Sequence, residues 1–582
     1  MLEVLDCGTT ALRWLSLEGR GERGGVSSDV WACGVRGCGK TKTRLSGVAL
    51  HICLAGAFAV YVSQQCVAIR LFLPLSFVYV LHSGVCDFFQ HDGGPEMDDR
   101  RRTTRRSDVE SRTTSTKWTW TTAQTMPKML SLLSSVLCLL SVIAIQPEDM
   151  STKSPYANKN PDPPFGTHHH HSPSCTPTFV SFLARHGSRS ATSEGKLTEP
   201  RDYLTEALSA GLLTDEGERL LAMSNSLLNS LQSDANFTWG GLSPLGEEEH
   251  EMLGSRTFKR FSKLLGGGEP SLTFSSTVVQ RTMDSRDHFI SGMKAAGLTS
   301  TAKLNIVSPT GCDDVNSPVP PAFVELRFFD ACQSYQSYLE DAMTPQAQSD
   351  LNAYLLPVIE QLHADFFDTL FTEGKSFDER ADFVDGLYGS ICGTDVDVNE
   401  DYSGVCSTIS VAQGRNLSFA ADLGEFIEKG DVPGFPIVTS MSCVLFDSWA
   451  SELENAISGK LHDKAHFRFA HAETTIPVVS ELGLVSENPF ELVGGSIEDI
   501  EARQFNGNSM AMMANNLMFV LWDCGADDGG YKIELLQNEE PRLIEGCDEL
   551  LCDARVVVEY LRGKSCGFDE LESMCGGLSC PS

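Results

Sequence analysis

The run Phe179-Val180-Ser181-Phe182-Leu183-Ala184 ends abruptly in Arg185-His186-Gly187-Ser188-Arg189. A short apolar run rich in β-formers reads as a buried strand. The glycine behind His186 allows a sharp backbone bend at the strand's end. In open α/β sheets, ligands sit beyond the carboxyl ends of strands. Two guanidiniums there make a fork for a tetrahedral oxyanion, and a histidine between them can attack what they hold. The junction predicts a phosphate-transfer site, with His186 as nucleophile and Arg185 and Arg189 as phosphate ligands.

The same five residues resemble the motif of the histidine phosphatases, in particular the histidine acid phosphatase branch. A second match, His471-Ala472-Glu473-Thr474, lies 285 residues beyond His186. Most of that branch has His-Asp there; the His-Ala-Glu form resembles the multiple inositol polyphosphate phosphatases, as does Leu326-Arg327-Phe328-Phe329-Asp330-Ala331-Cys332. The resemblance, spanning roughly Cys175 to Cys580, implies an α/β fold: a histidine-phosphatase-like sheet lobe with an inserted α-helical lobe. It implies a third phosphate-binding arginine at Arg281, in Ser275-Ser276-Thr277-Val278-Val279-Gln280-Arg281-Thr282, and a second phosphate-contacting histidine at His471. Glu473 is then the acid for the leaving oxygen, which requires its pKa to be raised. Lys196 is a possible contact to a further substrate phosphate. The chain departs from the family in Ser190-Ala191, where an aromatic or apolar residue and a proline are usual, and in Ala470, where glycine is typical.

Charge and cysteine usage narrow the class. The 582 residues carry a formal net charge of −33. Residues 1–144 hold 16 Lys and Arg against 12 Asp and Glu, so the remainder carries −37. Such a chain is no general nucleic-acid binder, and to bind phosphates it must gather positive charge in a cleft. Twelve of the 19 cysteines fall from Cys175 onward, five of them between Cys547 and Cys580. That pattern suggests disulfides in an oxidising compartment.

Residues 1–125 read as a spurious or disordered N-terminal extension, and 126–145, with Lys128 before the apolar Leu130–Ile145, as a secretory signal peptide. Gly34-Val35-Arg36-Gly37-Cys38-Gly39-Lys40-Thr41 fits the phosphate-loop pattern, but no strand–loop–helix context supports it. Residues 146–174 read as a linker, its His168–His171 tract too compact to build a metal site. Residues 175–316 make the first part of the α/β lobe, 317–430 the α-helical lobe, and 431–582 the second α/β part with a Cys-rich end. A helix is expected over 241–266, with Glu247, Glu248 and Glu249 complementing its dipole, and a turn at Asp527–Gly530. Asn236 and Asn416 are glycosylation acceptors.

The expected protein removes phosphates from inositol polyphosphates, including inositol hexakisphosphate, through a phosphohistidine, and is secreted. It needs no cofactor or metal, and its partner is a small polyphosphorylated substrate rather than nucleic acid or a membrane. The alternatives are a broad-specificity secreted acid phosphatase on small phosphomonoesters and a non-catalytic phosphate-binding homologue. Lys and Arg in the cleft wall beyond the core set would favour the polyphosphate.

Overall fold

The computed structural model describes residues 27–34, 37–44, 145, 147–156, 175–308, 310–312, 317–399, 404–525 and 530–581. Most of the extension and of the signal segment, the His168–His171 tract and Asp527–Gly529 lie outside them. Residues 1–120 and 121–582 form separate units. In the first, Ser27–Gly34 and Gly37–Arg44 pair as an antiparallel hairpin. Lys40 and Thr41 therefore lie on a strand, where a phosphate loop requires the start of a helix.

The second unit is built on a mixed eight-stranded sheet. Its strands are β1 (Thr176–Arg185), β2 (Ser271–Ser276), β3 (Lys303–Ile306), β4 (Ala465–Ala470), β5 (Asn516–Asp523), β6 (Tyr531–Gln537), β7 (Glu540–Arg542) and β8 (Leu551–Asp553). The order is β8-β6-β5-β1-β4-β2-β3, with β7 on β6. β1 runs parallel to β4 and antiparallel to β5; β2 continues the parallel half. Alternation along β1 sends Phe179 and Leu183 to one core and Val180, Phe182 and Ala184 to the other. β1, β4 and β2 end together, which sets Arg185, His471 and Thr277 side by side.

The helices that matter to the site are α1 (Gly195–Ala210), α2 (Asp215–Ser233), α3 (Pro244–Arg260), α4 (Gln280–Ala295), α5 (Pro321–Ala331), α6 (Pro345–Phe366), α7 (Val411–Lys429), α8 (Cys443–Ile457) and α9 (Ala472–Glu481). α3 starts where Ser243 caps it through Gly246 N, with Pro244 in its first turn. α7 opens on a capping box of Ser410 and Gln413. α5 is kinked at Arg327 (φ −133°, ψ 36°).

Packing redraws the expected boundaries. The helical core joins Leu197 and Leu204 of α1 and Leu220 and Leu227 of α2 to Leu362 of α6 and Leu417 of α7. The helical lobe thus draws on residues 195–233 as well as on the later segment. Conversely Phe323, Phe328 and Tyr335 pack with Phe179, Trp449 and Phe519 against the sheet. Ile145 and residues 147–156, expected to close a signal segment and open a linker, form a strap. Ile145 and Met150 are buried in the helical core, and Tyr156 is buried beside Met512 and Ala514.

All twelve cysteines from Cys175 onward are paired: Cys175–Cys524, Cys312–Cys580, Cys332–Cys575, Cys392–Cys406, Cys443–Cys566 and Cys547–Cys552. Among the described residues no helix is long and apolar enough to cross a membrane.

Candidate active site

Arg185 and His186 stand at the end of β1, where His186 N donates to Ala470 O of the neighbouring parallel strand at 3.0 Å. Both side chains are buried. Arg185 Nη1 donates to the carbonyl of Thr152, at 2.5 Å, and to that of Ala511. These acceptors orient the guanidinium without supplying a counter-charge. The Thr152 contact makes the strap part of the site.

His186 Nδ1 lies 2.9 Å from Gly187 O. A carbonyl only accepts, so Nδ1 carries the proton and Nε2 the lone pair. Burial, and then the charges of Arg281, Arg185 and Arg189, hold the ring well below the usual histidine range. The imidazole is neutral and able to attack.

Gly187 is required for a different reason from the one the sequence suggests. It does not use the left-handed region. A Cβ there would lie 2.5 Å from Gly246 O, in the first turn of α3. Close approach of loop to helix, rather than a special bend, demands the glycine.

The second motif closes the pocket. His471 precedes α9, and its ring meets that of His186 edge-on, centroids 5.6 Å apart. Arg281 Nη2 lies 3.3 Å from His471 Nδ1, and Arg327 Nη1 lies 3.4 Å from Nε2. Guanidiniums only donate and a neutral ring has one lone pair, so one of the two nitrogens accepts and the other carries the proton; burial and the same arginines keep its pKa well below the ordinary value. Thr277 Oγ1, at 2.9 Å from Nε2, completes its surroundings. Arg281, in the first turn of α4, is pushed down to about 10 by burial and by Arg189 beside it. Arg189 Nη1 donates to Ser190 O at 2.9 Å.

Glu473 lies in the first turn of α9. Burial alone would raise its carboxyl, but Lys429, a backbone N–H, Arg185 and Arg281 outweigh it and hold the pKa below the usual range. The raised value expected of a proton donor is therefore not what these neighbours produce. Lys429 is itself buried, bonded to Glu425 and Glu428 at 2.7 Å each.

A cavity of about 430 Å³ opens beside Arg189, lined by the strap, the loop after β1 and helices of the helical lobe. Lys196, exposed at the start of α1, and Lys153 of the strap line it with Asp385 and Tyr388. Burial raises the Asp385 carboxyl, against the pull of Lys196 and Lys153.

Arg185, His186, Arg189, Arg281, His471 and Glu473 therefore share one site, with Lys196 on the adjoining wall. Sequence reasoning gave Arg327, Lys153 and Lys429 no role. The signal for Arg327 was a lone cation inside Leu326-Arg327-Phe328-Phe329, which the kink in α5 turns toward His471. Asn236 is exposed on the loop after α2, as a glycan acceptor must be. Asn416 is half-buried within α7, where its Oδ1 accepts from Tyr354 at 2.8 Å.

Fold and site together define a phosphatase. The family model of the histidine phosphatase superfamily (branch 2) matches residues 178–538, and the chain belongs to that family. It is similar to multiple inositol polyphosphate phosphatase 1 of Dictyostelium discoideum, 40% identical over 94 residues, covering 16% of this chain and only 15% of that protein. It is 24% identical to multiple inositol polyphosphate phosphatase 1 of Homo sapiens over 391 residues, covering 63% of this chain and 75% of that one. In fold it is similar to the Bifidobacterium longum multiple inositol polyphosphate phosphatase solved with inositol hexasulfate: TM-score 0.58, 18% identity, 72% of this chain and 99% of that one.

Proposed function

We propose that the chain hydrolyses phosphomonoesters of inositol polyphosphates, inositol hexakisphosphate included, through a phosphohistidine at His186 Nε2. The observation that carries this reading is the Nδ1–Gly187 contact, which leaves Nε2 its lone pair in the field of Arg281, Arg185 and Arg189. The guanidiniums offset the negative oxygens that otherwise repel a nucleophile. The Nε2 lone pair forms the P–N bond as the P–O bond to inositol breaks, and Glu473 gives the departing oxygen its proton. Water then attacks phosphorus as the P–N bond breaks and returns its electron pair to Nε2, Glu473 takes a proton from the water, and inorganic phosphate leaves. Lys429, Arg185 and Arg281 favour Glu473 as a carboxylate. A bound phosphate cancels part of the field of Arg185 and Arg281, which lets the carboxyl take up the proton it later gives.

Lys153 and Lys196 favour a polyphosphorylated substrate over a small phosphomonoester, because they add cations to a wall beyond the reacting phosphate's own ligands. The disulfides fit a secretory-pathway protein, with the segment from 126 as a leader that ends before the buried Ile145, and with glycans at Asn236 and Asn416. The test is phosphate release from inositol hexakisphosphate, with rapid quenching to trap an acid-labile, base-stable phosphoenzyme. Turnover of nitrophenyl phosphate alone would leave the broad acid phosphatase; no turnover of either would leave a binding homologue.

A further inference from the structure

The peptide unit joining Gly187 to Ser188 is bound at both ends. Its carbonyl faces His186 Nδ1 at 2.9 Å, and its N–H donates to Glu249 Oε2 at 2.7 Å. Glu249 is 0% exposed, in α3. Its Oε1 accepts from the Tyr156 amide at 2.7 Å and lies 3.0 Å from Ser188 Oγ. From the sequence this glutamate was one of three acidic residues serving the helix dipole; the fold takes it out of water and aims it at the catalytic loop. The placement is enforced. A Cβ on Gly246 would lie 2.2 Å from Ser188 O, so the first turn of α3 touches the loop, and Glu249, three residues on, lies on the same face.

We infer that Glu249 is a positioning residue for phosphoryl transfer, forming with the Gly187–Ser188 peptide and the His186 imidazole one hydrogen-bonded chain. The inference rests on His186 being the nucleophile. When Nε2 bonds to phosphorus, the ring passes from neutral to positively charged. A carboxylate bonded to the far N–H of the peptide polarises it, so its carbonyl becomes a better acceptor for Nδ1–H as that charge develops. The chain also fixes which way the peptide faces, and with it the tautomer. A carboxylate placed directly on Nδ1 would favour the protonated ring and remove the nucleophile at acid pH. Routed through a peptide, the support arrives without that penalty. The Tyr156 bond ties the same carboxylate to the strap, whose Thr152 carbonyl holds Arg185.

The experiment follows nitrophenolate release in the first turnover, because that leaving group needs no acid and the burst reports attack by Nε2. It compares wild type, His186→Ala, Glu249→Gln and Glu249→Asp, each checked for folding. Glu249→Gln keeps the shape and loses the charge; its burst should slow by about 10–100-fold, the range for residues that support a ligating or attacking histidine. KM should move little, and Glu249→Asp, which keeps the charge, should recover part of the rate. A wild-type burst rate in Glu249→Gln overturns the role of Glu249 and leaves His186 standing. A burst that survives in His186→Ala overturns the nucleophile, and this inference with it. Should the Glu249 variants not fold, ring-¹⁵N histidine spectra of the wild-type enzyme decide. They should show His186 protonated on Nδ1 and the Ser188 amide proton shifted downfield; the Nε2–H tautomer overturns the chain.

Discussion

At the residue scale, two side chains answer different questions about the same pocket. His186→Ala removes the attacking atom, so every phosphomonoester should fail alike. Glu473→Gln keeps the shape and removes the transferable proton. An inositol oxygen departs badly and needs that proton; a nitrophenolate departs without it. Acid–base assistance is worth ~10²–10⁴-fold, so Glu473→Gln should slow inositol phosphate cleavage by about that range and nitrophenyl phosphate cleavage far less. A nitrophenolate burst followed by slow turnover would reveal a second role as base toward water. Equal slowing of both substrates with no burst would remove Glu473 as the acid. Asp330, ion-paired with Arg327 and raised by burial, is the carboxyl to examine then. Arg327 carries its own prediction. It reaches His471 from a kinked helix and adds a cation to the pocket. Loss of one donor to a developing oxyanion costs about 10²–10³ in kcat, so Arg327→Met should lower kcat toward that extent for both substrates. A change confined to stability would make it a structural residue.

At the scale of elements, the sequence was most informative where a pattern is local. β1 was legible because its apolar run is short, rich in β-formers and cut off by charge. α3 was legible from its charge order and its apolar positions Leu253 and Phe258, with Phe261 and Leu264 just beyond its end, all buried. Arg327 was not, because nothing in Leu326-Arg327-Phe328-Phe329 says that the helix bends there. The glycines of α3 and α4 were not legible either, since their reason is tertiary. A Cβ on Gly254 would lie 2.0 Å from Phe289 O, and one on Gly292 would lie 1.9 Å from Glu251 O. The two backbones touch, and this contact sets Arg281 on α4 relative to Glu249 on α3. Overpacking costs typically ~1–3 kcal/mol. Gly254→Ala should lose at least that, read by denaturant titration, and should raise KM for both substrates as Arg281 is pushed from the phosphate. An alanine variant with wild-type stability would show that the helices do not meet this closely.

For the whole molecule, the sequence showed two lobes but not their membership. α1 and α2 join α6 and α7 across more than a hundred residues of intervening chain, and no local periodicity marks such a pairing. The strap was hidden for the same reason: its few apolar residues, Ile145, Met150 and Tyr156, follow no period, and Ser151, Thr152 and the Tyr156 amide bond to Asp422, Glu425 and Glu249 far along the chain. One property belongs to the assembled fold alone, its response to acid. Burial holds His250 at about 3 and His363 at about 4, and holds His186 and His471 well below their ordinary value. Each binds fewer protons folded than unfolded between its depressed pKa and its unfolded value of about 6.5. Stability therefore rises with pH across that window and is lost as pH falls below about 6.5. Carboxylates held low contribute in a different range. Despite burial, Arg468 and His466 keep Glu452 at about 2, so its contribution is intact until pH falls below the ordinary carboxylate range. Between about pH 6.5 and 4.5 the buried histidines govern the loss. His363 isolates the effect, because it packs among Tyr203, Phe367 and Phe383, apart from the phosphate site. Replacing it with leucine removes the proton-binding group, worth at most about 2 kcal/mol at pH 5. The His363→Leu variant should lose less Tm than wild type between neutral pH and pH 5, while turnover at the distant site keeps its pH profile. Equal Tm losses in the two proteins would mean that the acid sensitivity arises elsewhere.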